Sequence, residues 1–297
     1  MQIVRYSLDG APRTGVLTDG QVRPLEPSLA ELLRLPLADM RELVTAAAQA
    51  PPLDAPLSDV PLLPPIEGRM EVWAAGVTYH RSRQARVAES GADADVYERV
   101  YDAPRPELFF KSAAWRVVGH GGTIAVRADS TIDVPEPELA LVLNADGEIV
   151  GYTVCDDVSS RTIEGENPLY LPQAKIYLGG CALGPAIRPA WEVPDPYALP
   201  IRMAIHRDGM TAWSGEAGTH QLHRRLDELA ACLFTADVFP DGAVLATGTC
   251  LVPELPFSLE DGDRVEINIG GIGLLATDVV RGLDRLLARG ETAAATT

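Results

Sequence analysis

From residue 66 onward, short apolar segments bounded by turn residues recur along the chain. The clearest of them are MEVWAAGVTY, ELALVLN, EIVGYTVCDD, YLGGCALGPAI, LPIRMAIHRDG, AVLATGT and RVEINIGGIGLLATDV. One helix stands out, HRRLDELAACLF at about 223–234, because its apolar residues recur at helical spacing. Strands this frequent, without regularly alternating helices, predict a mainly β, α+β fold and not a doubly wound one.

The first 65 residues have a different pattern. Residues 1 to about 25 alternate in the manner of strands around the turns Asp9-Gly10 and Asp19-Gly20, which predicts a small β-meander. A helix is predicted over 28–49, interrupted by Pro36. The segment after it, PPLDAPLSDVPLLPP, is rich in proline and is typical of a linker. The expected division is therefore a small N-terminal α+β domain with its linker, 1–65, and a larger domain, 66–297.

Composition excludes several classes of function. The net charge is −17 and the estimated pI is 4.6, so the chain lacks the basic surface with which nucleic-acid-binding proteins neutralise phosphates. The longest apolar runs fall well short of the roughly 20 residues that a membrane span needs, and the N-terminus does not have the pattern of a secretion signal. The four cysteines include no CxxC pair, which is typical of reduced thiols in a cytoplasmic protein.

Acidic residues mark the two ends of one predicted hairpin. Glu136 and Glu138 stand two apart at the start of ELALVL, and residues at that spacing in a strand share a face. Asp157 ends the next strand, and the Asp146-Gly147 turn between the strands would return it beside the glutamates. Three carboxylates at one point form a site for a hard cation such as Mg²⁺ or Mn²⁺. Asp156 competes with Asp157 for the third position, and solvated strand ends explain the same spacing.

The order of motifs resembles the fumarylacetoacetate hydrolase family over roughly residues 70–285. The matching elements are Glu136-Pro137-Glu138, Asp157 within DDVSSR, Lys175, Gly184-Pro185, Thr247-Gly248-Thr249 and LEDGDRV. The resemblance implies a mixed β-roll core with a smaller N-terminal domain, a metal held by Glu136, Glu138 and Asp157, and a homodimer or homotetramer.

A narrower resemblance concerns the branch of this family that dehydrates 2-keto-3-deoxy-pentonates such as 2-dehydro-3-deoxy-D-arabinonate. The segments that carry it are AGVTY, VYDAPRPELFFK, DSTIDVPEPELALVL and IEGENPLYLPQAKIY. It implies loss of water from a small 2-oxo acid to give 2-oxoglutarate semialdehyde through a metal-stabilised enolate. The alternatives are C–C hydrolysis of acylpyruvates or decarboxylation of oxaloacetate on the same fold, and a non-catalytic binding protein on an enzyme scaffold.

The sequence departs from the wider family at three positions. Hydrolase members carry a histidine and a glutamate that activate water, and here those positions hold Ser82 and Ala85, with His80 displaced by two residues. This departure favours the dehydratase branch over a hydrolase. Thr162 stands where many relatives carry aspartate.

Roles for further residues follow from the implied mechanism. Lys175 is the first candidate for the base that removes the C3 proton, since a lysine near a cation can lose its proton more readily; a charge partner for the carboxylates is the alternative. Glu107 and Glu166 are candidates for the acid that releases the C4 hydroxyl, and either of them suits a structural carboxylate equally well.

Four residues match family positions for substrate binding or lie beside them: Lys111, Arg161, Gln173 and Thr249. Arg161 offers a planar fork that suits a carboxylate, although a salt bridge to Glu164 or Glu166 would explain it too. Thr249 belongs to a Thr-Gly-Thr turn that could face an anion or be a plain β-turn. The segment from Arg81 to Glu98 suits either a lid over the site or a solvated helix.

Overall fold

A computed structural model describes residues 1–79 and 99–290 of the chain. The expected lid or helix over 81–98 and the departures at His80, Ser82 and Ala85 lie outside the described residues. Within them the strands are β1 Gln2–Leu8, β2 Ala11–Thr18, β3 Gln21–Leu25, β4 Leu62–Leu63, β5 Glu71–Gly76, β6 Glu107–Ala113, β7 Thr123–Val126, β8 Asp133–Val134, β9 Pro137–Leu143, β10 Ile149–Asp157, β11 Ser159–Ser160, β12 Cys181–Pro189, β13 Pro200–Arg207, β14 Met210–Gly218, β15 Ala243–Thr249, β16 Arg264–Ile269 and β17 Gly273–Arg281. The α-helices are α1 Leu29–Leu32, α2 Leu37–Ala47, α3 Arg161–Glu166, α4 Leu171–Lys175, α5 Leu226–Leu233 and α6 Leu283–Ala288. The prediction of a mainly β, α+β fold is confirmed.

One large sheet runs from the N-terminal strands into the rest of the chain. Its order is β3-β2-β1-β12-β10-β9-β15-β5-β6, with β4 paired to β1. The expected meander is present as β1–β3, and both of its Asp-Gly turns take the positive φ values that tight hairpins require. The meander joins the larger part through β1, where Ile3 pairs with Ile187 of β12. The boundary at residue 65 stays a prediction, because the two parts share this sheet.

A second sheet, in the order β14-β13-β16-β17-β7, covers one face of the large one. Strand β9 shows how the core is divided, because its successive side chains point to opposite faces. Leu139, Leu141 and Leu143 pack against the second sheet, whereas Ala140 and Val142 belong to the core under α1 and α2. Buried on both faces, β9 is a rigid base for the acids at its beginning.

The helical prediction for residues 28–49 is confirmed, with the expected break at Pro36. Ser28 caps α1 in a reciprocal arrangement with Glu31, and α2 begins directly after the proline. The helix predicted at about 223–234 is α5, which begins at Leu226. Among the described residues, no helix is long and apolar enough to cross a membrane.

Asp241 links the N-terminal part to the larger one. Its carboxylate accepts hydrogen bonds at 2.8–3.0 Å from Arg34, which follows α1, and from Arg69, which precedes β5. The hydrogen bonds from Arg69, supported by those from Arg34, lower the pKa of Asp241 from 3.8 to about 2. The ionised carboxylate therefore stabilises the fold.

We expect Asp241→Asn to lower the free energy of unfolding at pH 7 by about 1 kcal/mol, because both arginines are half-exposed and screened. A lowered pKa stabilises the fold above the ordinary aspartate value, and this contribution is lost as the pH falls through about 2. Urea unfolding of both proteins at pH 7 and pH 3 should therefore give a smaller difference at pH 3. Asp19→Asn, in an exposed turn with a backbone that asparagine tolerates, is the control. An equal difference at both pH values would contradict the assignment.

Candidate metal centre and active site

Three carboxylates converge at the point where β9 begins and β10 ends. Glu136, Glu138 and Asp157 are all buried, and each offers an oxygen within 4.8 Å of the others. Strands β9 and β10 form the predicted hairpin, in which Cys155 pairs with Glu138 and the Asp157 N–H donates to the Glu136 carbonyl at 3.0 Å. The local cause is the turn before β10, where Gly147 has a φ of +77°.

Asp156, the competing candidate, points elsewhere. Its Oδ1 accepts the backbone N–H of Glu136 at 3.0 Å, so it supports the backbone that carries one of the three acids. Burial raises the pKa of Asp156 to about 8, so the group is mainly protonated at neutral pH. Asp157 and not Asp156 therefore completes the cluster.

Strand β15 supplies a hydrogen-bond donor to Glu138. The backbone N–H of Gly248 donates to Glu138 Oε2 at 2.7 Å. A side chain at this position would be strained twice, because φ is +95° and an added Cβ would lie 1.9 Å from Thr78 Oγ1. The Thr-Gly-Thr element noted in the sequence thus positions Glu138. Its second threonine, Thr249, borders the cleft, and its hydroxyl bonds with the carbonyls of Pro137 and Leu251.

Two cations contact the carboxylates from the side of α3 and α4. Lys175, the last residue of α4, donates from Nζ to Glu136 Oε2 at 2.9 Å and to Asp157 Oδ2 at 3.0 Å. It also donates to the hydroxyl of Ser159 at 2.5 Å. Arg161, the first residue of α3, donates to Glu136 Oε1 at 2.8 Å. The two oxygens of Glu136 are therefore held by two different cations.

Lys111 lies on β6, behind the cluster, with its side chain fully buried. Its Nζ lies 2.5 Å from Asp157 Oδ1 and donates to the backbone carbonyls of Val158 and Lys175 at 3.0 and 2.6 Å. The contact with Asp157 Oδ1 is an ion pair, whereas the two carbonyls are the acceptors of hydrogen bonds. Lys111 therefore supports Asp157 directly, and its predicted role in substrate binding stays a prediction.

The carboxylates suit a divalent metal. Hard oxygen donors are the ligands that Mg²⁺ prefers, and among the described residues Asp157 Oδ1 accepts no hydrogen bond of good geometry, so it keeps a lone pair to offer. Burial, followed by the charges of Asp157 and Glu136, raises the pKa of Glu138 well above its ordinary range. Because a metal ligand must be ionised, metal binding at Glu138 is expected to release a proton.

A cleft opens beside the three acids. Besides Glu136, Glu138, Asp157 and Lys175, its lining includes two more carboxylates, Glu107 at the start of β6 and the buried Glu164 on α3. Apolar contacts come from Phe109 and Leu171. The cleft therefore combines the cluster of three carboxylates with two further acids and one lysine.

Gly76 makes room for Glu107. A Cβ added at Gly76 would lie 2.1 Å from Glu107 Oε2 and 2.7 Å from its Cδ. Because this neighbour is the far end of a flexible side chain, Gly76→Ala is expected to move the carboxylate out of the cleft without unfolding the protein.

We expect Gly76→Ala to lower kcat about 10²-fold, the scale of a lost acid–base group, and to change Tm by less than about 2 °C. Steady-state rates and thermal unfolding of the variant check this expectation. Gly10→Ala is the control for adding a methyl group, because its Cβ meets no atom within 4 Å. Its φ of +77° makes alanine less favourable there, so it also bounds the effect of backbone strain. Full activity of Gly76→Ala would show that the position of Glu107 is unimportant.

Four sequence-predicted site residues do not line the cleft: Lys111 and Arg161, which contact the carboxylates from outside it, and Glu166 and Gln173. Glu166 and Gln173 are exposed, although both belong to the segment that carries Lys175. The residue that sequence reasoning missed as a cleft acid is Glu164, two positions before Glu166. The departure at Thr162 also has a local explanation, since its hydroxyl accepts the backbone N–H of Ile132 at 2.9 Å.

Comparison with known proteins gives one family and several close relatives. The family described as "Fumarylacetoacetate (FAA) hydrolase C-terminal" matches residues 71–280. A protein of Haloferax volcanii named "Probable 2-keto-3-deoxyxylonate dehydratase" is 53% identical over 209 residues, which are 70% of this chain and 72% of that protein. The "2-dehydro-3-deoxy-D-arabinonate dehydratase" of Saccharolobus solfataricus is 46% identical over 226 residues, 75% of this chain and 76% of that protein.

Solved structures agree with the sequence relatives. The apo form of 2-keto-3-deoxy-D-arabinonate dehydratase superposes with a TM-score of 0.82 at 36% identity, over 95% of this chain and 100% of that one. The same enzyme "complexed with magnesium and 2,5-dioxopentanoate" superposes with a TM-score of 0.79 at 37% identity, over 95% and 99% of the two chains. The fold therefore points to the same group of proteins as the sequence does.

Proposed function

This chain belongs to the fumarylacetoacetate hydrolase family, and we propose that it removes water from a 2-keto-3-deoxy-pentonate, such as 2-dehydro-3-deoxy-D-arabinonate, to give 2-oxoglutarate semialdehyde. The observation that carries the proposal is the buried triad of Glu136, Glu138 and Asp157 beside a cleft that also holds a lysine and two further carboxylates. The dehydratase names of relatives at 53% and 46% identity, and the magnesium and 2,5-dioxopentanoate bound by a structural neighbour, support it.

The triad would hold Mg²⁺, with Mn²⁺ as a substitute. When bound, the ion would polarise the 2-oxo group of the substrate and stabilise the negative charge that develops there. The oxygens of Glu136, Glu138 and Asp157 leave part of an octahedral shell for other ligands, as a chelating 2-oxo acid requires.

Lys175 is the proposed base at C3. Its Nζ contacts two of the three proposed metal ligands, which supports a position beside the carbon next to the 2-oxo group of a bound substrate. A hydrogen bond of 2.6 Å from Lys111 Nζ to the backbone carbonyl of Lys175 supports this position.

Release of the C4 hydroxyl requires a proton donor in the cleft. Glu107 and Glu164 both border it, and we propose that one of them donates this proton while the other binds a substrate hydroxyl. Glu107 comes from β6 and Glu164 from α3, and two carboxylates from different elements support binding of a polyhydroxylated chain. Thr249, beside Glu138, remains a proposed substrate contact.

The direct test is turnover of 2-keto-3-deoxy-D-arabinonate with Mg²⁺; D-xylose yields the same acid, because C4 is the only stereocentre that remains. A coupled aldehyde dehydrogenase would report 2-oxoglutarate semialdehyde. Product that appears only with metal would support the proposal. A folded, metal-loaded protein that leaves this sugar acid unchanged would overturn it. Acetylpyruvate and oxaloacetate serve as the comparison substrates, and the dehydratase names of the relatives do not favour these alternatives.

Glu164 and Glu166 form a matched pair on one helix. We expect Glu164→Gln to lower kcat for dehydration by about 10²–10³-fold, because a carboxyl group is removed from the cleft wall. Glu166→Gln, on the exposed side, should remain within about twofold of the wild type. Steady-state rates of the two variants check this, and the opposite ranking would restore Glu166 as the catalytic candidate.

Two further expectations stay predictions. The family resemblance implies a homodimer or homotetramer, and sedimentation velocity would measure the assembly. Reduced cysteines favour a cytoplasmic location, and none of the four cysteines, all of which the structure describes, forms a disulfide bond.

A further inference from the structure

Three cations contact the metal-binding carboxylates directly. Lys175 bridges Glu136 and Asp157, Arg161 holds the other oxygen of Glu136, and Lys111 lies 2.5 Å from the other oxygen of Asp157. All three side chains are at most 3% exposed, so water screens their charges little. Three buried positive charges therefore contact Glu136 and Asp157, and they equal in number the three carboxylates of the cluster.

This balance determines the charge that a bound metal presents to substrate. Three carboxylates alone would turn a divalent ion into an anionic centre, which would repel a 2-oxo acid. The three buried cations neutralise the carboxylates, so the ion keeps its own charge toward the cleft. The same cations repel the ion and occupy oxygens that it needs, so they oppose its binding when the substrate is absent.

We propose that Lys111, Lys175 and Arg161 make the binding of metal and of the 2-oxo acid interdependent: each is held weakly alone and more tightly once the other is present. The anionic substrate supplies the negative charge that the neutralised triad lacks. The proposal rests on the metal-dependent function above and concerns these three cations as determinants of affinity, beyond any role in proton transfer.

The test is Mn²⁺ binding, followed through the electron paramagnetic resonance signal of free Mn²⁺, with and without 2-oxobutanoate. This acid has the 2-oxo carboxylate but no C4 hydroxyl to lose, so it is not consumed by dehydration. We expect Mn²⁺ to bind about tenfold more tightly with it, within the usual range of coupling between sites. By reciprocity, Mn²⁺ should tighten 2-oxobutanoate binding by the same factor. A protein-free titration corrects for Mn²⁺ bound by the acid in solution.

Variants of Lys111 separate charge from position. Lys111→Met removes a positive charge 2.5 Å from Asp157, so Mn²⁺ alone should bind several-fold more tightly and the coupling should shrink. Lys111→Arg keeps the charge and should keep the coupling. If Lys111 only positioned Asp157, the change in Mn²⁺ affinity would have the opposite sign, and Lys111→Met would bind Mn²⁺ more weakly than the wild type.

Arg161→Gln provides a second test should Lys111→Met fail to fold. It removes the positive charge at Glu136 while leaving an amide donor, and it should shift Mn²⁺ affinity and coupling in the same directions. Tight Mn²⁺ binding that 2-oxobutanoate does not change would overturn the inference and leave the dehydratase proposal intact. Lack of any Mn²⁺ binding would overturn both.

Discussion

Replacing Glu138 by glutamine is expected to lower kcat for dehydration by about 10³-fold or more and to weaken Mg²⁺ binding below detection by calorimetry. The change removes one of three carboxylate ligands, and the metal is expected to stabilise the transition state by several kcal/mol, with about 1.4 kcal/mol for each factor of ten. An amide keeps the size of the side chain and can still accept the 2.7 Å hydrogen bond from Gly248, so the fold should persist. Circular dichroism and thermal unfolding would verify that.

The control for this variant is Glu166→Gln, which makes the same chemical change on the exposed side of α3. It should leave both Mg²⁺ affinity and kcat within about twofold of the wild type. If Glu138→Gln still dehydrated the sugar acid with unchanged dependence on Mg²⁺, the triad would not be the metal site, and the reaction mechanism would have to be reassigned.

Lys175→Met is expected to abolish proton exchange at C3 of 2-oxobutanoate in D₂O, lowering its rate by about 10³-fold. Proton removal is the step assigned to Lys175, and general base catalysis contributes roughly 10²–10⁴-fold. Since 2-oxobutanoate has no C4 hydroxyl, its exchange reports this step without dehydration. Proton NMR of the C3 methylene, with Mg²⁺ at saturation for each variant, measures the rate.

Glu107→Gln and Glu164→Gln complete this experiment, because an acid at C4 should not affect exchange at C3. Both variants are expected to exchange the C3 protons within about tenfold of the wild-type rate. Dehydration should fall in both, and most in the variant that lacks the proton donor for the C4 hydroxyl. Exchange that survives in Lys175→Met would reassign the base, and Mn²⁺ titration of that variant would show whether metal binding is intact. A loss of exchange in Glu107→Gln would instead identify Glu107 as the base.

The convergence of Glu136, Glu138 and Asp157 could be predicted from the sequence, because it depends on strand spacing and on one hairpin turn. Glu136 and Glu138 stand at the spacing of a strand, and an Asp-Gly turn makes the hairpin that returns Asp157 beside them. The choice between Asp156 and Asp157 could not be made from spacing, because it depends on which side of β10 faces the glutamates. The bond from Glu136 N–H to Asp156 decides it.

Residues outside the hairpin were harder to assign, because their roles depend on tertiary contacts. Lys111 is 46 residues before Asp157, and only the pairing of β6 with β5 brings it behind the cluster. Glu164 and Glu166 lie on one short helix, and side chains two apart on a helix point in different directions. Glu166 was one of two candidate acids, with no physical ground to choose it over Glu164, whereas the position of α3 brings Glu164 to the cleft.

The insertion of β15 between β9 and β5 has a consequence for how the protein is made. Its Gly248, which completes the support of Glu138, lies 110 residues after that glutamate, so a ribosome releases the hairpin long before it releases β15. Until then β9 has an open edge and Glu138 lacks its backbone donor. Contacts this distant in sequence are slow to form, so the proposed metal site is expected to be complete only at the last stage of folding. A chain that ends before Ala243 is expected to present an unpaired strand edge that is apolar from Leu139 to Leu143, and to aggregate.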